Sequence, residues 1–366
     1  LYGALRETAV SDFVDMHGYW RHPTFPAGWS ATNWHFQNDS QIRAKDGGTL
    51  ASIGGHRLAG RPFSVSEYNT PSPNDHAAET IPLYSTIAAF QDWDVIYLYT
   101  YLDFKRDWNA DKLLGLFDFA GHPGKLAFAA AGALAFRRGL VTTGKTPVTL
   151  NLPTEPVAPG VSESTLPALW SRSSVPGAAV AARRLEVKLV AGGGPASVSE
   201  KLDLPGRVTS DTGELSWDAA AFRFTVTAKT LRIFAGNLLG PELSLGDVGL
   251  ELGKGAPAYA CVELIALDER PIVESKKLLL IVVARVENQG MGWNPERTTV
   301  KNQWGNGPTL AEPVPFSLRL PGADWKAWTL DSKGAPNAAL PVAAESNGSV
   351  LLVEKPATLW YALTRE

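Results

Sequence analysis

The sequence predicts an α/β segment followed by an all-β one within a chain of 366 residues. Three observations predict it. Over residues 1–140, strand-like stretches alternate with helical ones, as where Phe63-Ser64-Val65-Ser66-Glu67 is followed by the 3.6-residue apolar spacing of 77–90. From residue 181 to 366, short strands recur between Gly, Asp and Pro, the rhythm of a β-sandwich or jelly roll. All six histidines precede residue 123, so the two parts also differ in chemistry. Residues 141–180 are proline-rich and read as a linker or covering segment between them.

The elements follow in order. Residues 1–11 read as the end of a helix or an approach segment. Phe13 to Trp20 is a strand whose alternate residues Asp15, His17 and Tyr19 share one face. A long loop, 21–41, then mixes Trp29, Trp34 and His35 with amides, a composition suited to sugar ring faces and hydroxyls. Residues 42–58 form a weak, glycine-interrupted helix. Pro62 opens the next strand, which ends at the carboxylate of Glu67, and Pro71, Pro73 and Asn74 force a loop after it. A helix over 77–90 takes Asn74 or Asp75 as its cap. Tyr97, Tyr99 and Tyr101 line one face of a strand over 94–101, and Pro123 opens a helix over 123–137. In the β-rich part the loop 288–306 carries Trp293 and Trp304, which either reach a cleft or cap the sandwich.

Composition narrows the function. Hydrophobic residues make up 45% and charged residues 19%, enough for a sizeable core in two domains. A net charge of −3 with no basic run argues against nucleic acid. No apolar run reaches membrane-spanning length, and the longest, 277–285, suits a buried strand. The lone Cys261 gives no disulfide framework. No metal-ligand spacing is evident, and no cofactor is expected. Among twelve tryptophans, Trp20, Trp29 and Trp34 lie in or beside the proline-rich loop and are candidate sugar platforms, whereas Trp217, Trp325 and Trp360 read as core. The chain starts at Leu1 without an initiator methionine or signal peptide, so a leader was removed or the chain is a fragment; an extracellular or periplasmic location is expected.

Phe63-Ser64-Val65-Ser66-Glu67-Tyr68-Asn69 resembles the seventh barrel strand of the clan of retaining β-glycosidases that includes the cellulase-like and β-galactosidase-like families. Asp15-Met16-His17-Gly18-Tyr19-Trp20 resembles the sixth strand, and the stretch from Gln91 to Tyr101 the eighth. The resemblance implies a partial TIM-type β/α barrel over 1–140, the C-terminal half of such a barrel, and a β-sandwich accessory domain over 181–366. It implies a glycoside hydrolase acting on a β-linked glycan or small β-glycoside, with Glu67 as nucleophile. His17, Tyr19, Trp20, Trp29, Trp34, Asn69 and Tyr99 would line the site. The Asn-Glu pair that supplies the clan's acid/base is absent. That role then falls to another carboxylate of the chain, Asp15 first among Glu79, Asp92, Asp94 and Asp103, or to a second subunit. Three parallel strands would leave open edges, so a homo-oligomer or a partner chain completing the barrel is expected. The rival reading is a carbohydrate-binding or structural protein that has lost its catalytic acid.

Overall fold

The computed structural model describes residues 10–102, 107–155 and 165–366. Strands β1 (Val14–Tyr19), β2 (Phe63–Asn69) and β3 (Val95–Leu98) form a parallel sheet in that order. Parallel strands need crossovers. Helix α1 (Gly48–Gly54) supplies one and α2 (Thr80–Phe90) the other; α3 (Pro123–Arg137) follows and packs on α2. Every residue of α2 is buried, which fits a helix that is apolar all round. Phe63, Val65 and Tyr68 of β2 meet Ile87 and Phe90 of α2 in one core.

The expected half of a TIM-type barrel is not formed. The chain is predominantly β, and its larger sheets are antiparallel. Among the described residues the parallel sheet that carries β1 has only three strands, against the eight that close such a barrel. Among the described residues no further strand pairs with the outer edge of β1 or β3. The physical reason is that the next strands, over 147–155 and 184–193, pair with each other and not with β1 or β3, and that beyond them the chain turns to short period-two stretches broken by Gly, Asp and Pro. These feed antiparallel neighbours rather than crossover helices.

The described residues of 141–180 carry regular elements of their own. Strand β4 (Pro147–Glu155) pairs in parallel with β5 (Arg184–Gly193), and α4 (Leu166–Arg172) lies between them in sequence. Hydrogen bonds from Ala59 N to Val187 O and from Val187 N to Arg57 O tie this unit to the first segment. Residues 1–9, Asp103, Pro156 and Pro159 lie outside the described residues.

The remaining described residues form a nine-stranded, a five-stranded and a two-stranded antiparallel sheet. Strands β6 (Arg223–Thr227), β7 (Leu231–Asn237), β8 (Tyr259–Ala266) and β9 (Lys277–Val283) lie side by side in the first. Strand β10 (Phe316–Pro321) is central in the second. Alternation divides β8 between two cores. Ala260, Val262 and Leu264 face Phe316 and Leu318 of the second sheet. Cys261 and Ile265 join the core that also holds β2, α2 and α3, so this core runs from Val14 to Val286. Glu263 sits between them on that face, 1% exposed, with neither carboxyl oxygen hydrogen-bonded. Its cross-strand neighbours are Ile233 and Ile281. Burial pushes its pKa up to about 8.

Candidate active site

Strands β1 and β2 run in register from Val14–Phe63 to Met16–Val65 and then slip, so that His17 pairs with Glu67. The slip leaves Ser66 as an extra residue in β2, and β3 registers against β2 with the same irregularity. Strict alternation would send Glu67 after Phe63 and Val65 into the helix-side core. The extra residue reverses that: Val65 and Tyr68 are buried, while Ser64, Ser66 and Glu67 reach the open face. A bulge is a known means of re-aiming one side chain.

Tyr19, the last residue of β1, donates its phenol O–H to Glu67 Oε2. Its ring centroid lies 4.9 Å from Phe117, 5.4 Å from His22 and 6.4 Å from Tyr99. His17 is exposed beside Glu67. Glu67, Tyr19, His17 and Tyr99 therefore come together at the C-terminal end of the sheet.

The other expected site residues are placed differently. Asp15 shares the open face, but it pairs with Ser64, two positions before His17 on β1. Its carboxylate accepts from Ser64 Oγ and Ser66 Oγ, which tie it to β2 before the bulge. Trp20 is buried rather than lining a cleft: Nε1 donates to Asp39 O at 2.9 Å, and the Arg21 guanidinium covers the ring. Trp34 is also buried, its Nε1 shared between Ala31 O and Lys301 O. Trp29 is 67% exposed and packs on Phe25.

Asn69 does not reach the open face. It is fully buried; Nδ2 donates to Tyr99 O and Phe117 O, and Oδ1 accepts from Lys125 Nζ at 2.6 Å. Its role is to tie the ends of β2 and β3 to the 114–118 segment.

The loops around the site are braced from both parts of the chain. Buried Glu79 accepts from Ser40 Oγ and from Gln41 N, closing the end of the 21–41 loop. The loop of Trp293 and Trp304 does reach this region. Arg297 pairs with Asp75 at 2.6 Å and Glu287 at 2.9 Å, and Phe36 N donates to Thr298 O. Asn288 holds Leu113 through both its backbone groups.

Sequence reasoning misses Lys125, Phe117 and Asp118. Lys125 is signalled by its place on the buried stripe of α3 with Phe128, an unusual setting for an ammonium. Burial draws its pKa down to about 7, with the Asp118 carboxylate opposing that shift. Its Nζ also donates to Thr70 O at 2.6 Å. Lys125→Met leaves Asn69 Oδ1 and Thr70 O buried without this donor, and a loss of about 2–4 kcal/mol is expected. Urea titration reads this as a lower midpoint at constant slope; an unchanged midpoint would show that the lysine is dispensable.

No family model, curated protein or solved structure matches the chain. The chemistry rests on the groups themselves. A phenol donating to one carboxyl oxygen fixes the rotamer of Glu67, as a nucleophile attacking along a defined line requires. The aromatic rings around it offer apolar faces next to that carboxylate.

Proposed function

We propose that the chain acts on β-linked glycans as a retaining glycoside hydrolase, with Glu67 as nucleophile. The observation that carries this reading is the bulge that turns Glu67 onto the open face, where Tyr19 holds it. Ligands of open parallel sheets bind beyond the carboxyl ends of the strands, where this carboxylate lies. Glu67 would attack the anomeric carbon as the bond to the leaving oxygen breaks, forming a glycosyl ester. A second carboxyl, about 5–5.5 Å away, would protonate the leaving oxygen and then take a proton from the water that cleaves the ester.

Of the carboxylates expected for that role, Asp15 is bonded by two serines and Asp103 lies outside the described residues. Asp92 pairs with Arg57 and Arg184, Asp94 accepts from Phe63 N at the opposite end of β2, and Glu79 is buried under the loop. We therefore assign the acid/base to a second chain lying across the open face. Light scattering at micromolar concentration is expected to give a molar mass at least twice that of one chain; a monodisperse monomer with full turnover would remove this assignment.

The test of the activity is hydrolysis of a panel of aryl β-glycosides, with trapping by the matching 2-deoxy-2-fluoro glycosides. Turnover with a covalent label on the peptide bearing Glu67 is expected. The engagement of Asp15 by two serines favours a second reading, a glycan-binding protein without turnover. Binding by a folded wild type that cleaves nothing on the panel would select it.

A further inference from the structure

Next to the Glu67 site, a cavity of about 170 Å³ opens between the 29–34 loop and the 114–118 segment. Trp29, Trp34, Trp304 and Phe117 form its walls, and Asp118 brings a carboxylate to it. An apolar cavity of about 150 Å³ accepts a six-membered ring. Phe117 is a shared wall, since its ring also packs on Tyr19, the partner of Glu67. The cavity is thus one aromatic ring away from the carboxylate.

Its surfaces select a ligand. Trp29 is 67% exposed yet seated on Phe25, with centroids 4.6 Å apart. An indole supported from behind and open in front offers a flat apolar face, and stacking a ring on it removes that face from water. Trp34 and Trp304 stack at 6.0 Å with 23° between their planes, and the Trp34 N–H is taken by backbone oxygens. That wall is therefore fixed and apolar. Asp118, 8% exposed, can accept from hydroxyl groups and disfavours an anionic substituent. Trp304 comes from the β-rich part of the chain, so the cavity exists only where the two parts meet.

We infer that this cavity is a saccharide subsite for one uncharged pyranose unit. The ligand is then a neutral β-linked oligosaccharide of at least two sugars rather than a simple glycoside. The inference rests on the proposed glycosidase site for the neighbouring position, and its test is kept separate from turnover. Tryptophan fluorescence of Glu67→Gln is titrated with neutral β-linked gluco-, galacto-, manno- and xylo-oligosaccharides of one to four units, and with a uronic-acid-bearing tetramer. In at least one neutral series, affinity is expected to rise tenfold or more between one and three units. In the same background Trp29→Ala is expected to weaken the tetramer at least tenfold at an unchanged melting temperature, and Trp29→Phe to recover part of the loss. Asp118→Asn is expected to narrow the gap between neutral and acidic tetramers. No binding in any series, equal affinity at all lengths, or indifference to Trp29→Ala overturns the subsite, even if wild type hydrolyses aryl glycosides. Length- and Trp29-dependent binding by a wild type that cleaves nothing keeps the subsite and sinks the hydrolase.

Discussion

Glu67→Ala is expected to lower kcat/KM on aryl β-glycosides by about 10⁴-fold or more, since removing a covalent nucleophile disables the whole catalytic unit. Azide, small enough to enter the space left by the carboxylate, should restore turnover and release a glycosyl azide of inverted configuration. Tyr19→Phe keeps the carboxylate and removes only its donor. A hydrogen bond to a charged group contributes about 1.5–3 kcal/mol, so a loss of about 10- to 100-fold is expected. Full activity in Glu67→Ala would end the hydrolase reading at this position. Equal losses in both variants would mean that Tyr19 acts on the reaction directly and not through the orientation of Glu67.

Glu263→Leu is expected to stabilise the protein, and more so as pH rises. The carboxyl is buried between Ile233 and Ile281 with no hydrogen-bond partner, a costly arrangement that an apolar side chain of similar size relieves. The folded pKa, about 8, lies above the ordinary value of 4.5. Between those values the folded state keeps a proton that the unfolded state releases. Stability from this group is therefore complete below pH 4.5, falls as pH rises towards 8, and is level above it. The span corresponds to at most about 5 kcal/mol. Glu79, also raised to about 8 by burial, adds a slope of the same sign. His76, lowered to about 4 by burial, adds the opposite slope between its folded pKa and 6.5. The difference between wild type and variant isolates Glu263: about 1 kcal/mol at pH 5 and about 2–4 kcal/mol at pH 8, measured by urea unfolding. An identical pH dependence in the two proteins would show that Glu263 finds a partner in solution.

Much of the local structure can be read from the chain. The strand that ends near Glu67 and the helix opened by Pro123 lie where apolar spacing and proline put them, while the helix expected over 77–90 begins with a 3-10 turn at 77–79, is α-helical over 80–90, and takes no side-chain cap from Asn74 or Asp75. What could not be read depends on contacts distant in sequence. A barrel needs further strands along the edges of β1 and β3, and nothing in β1–β3 themselves encodes whether those edges are met. The facing of Glu67 turns on Ser66 being surplus in the register with β1, a property of two strands and not of one. Asn69 resembles a ligand-binding amide at a strand end, yet its capacity is consumed by Lys125, Tyr99 and Phe117. Trp20 sits beside the aromatic loop, yet its indole N–H is satisfied by a backbone oxygen inside the protein.

The reach of Trp304 and Arg297 from the β-rich part has a consequence for inheritance. Recombination between genes conserves function best where few contacts cross the join. A crossover near residue 140 would carry Glu67 and Tyr19 into the hybrid and leave behind the Trp304 wall, the Arg297 pairing with Asp75 and the Asn288 clasp on Leu113. The two parts of this chain are therefore expected to travel through descent together, and a lineage that exchanges one must rebuild the seam before it recovers the cleft.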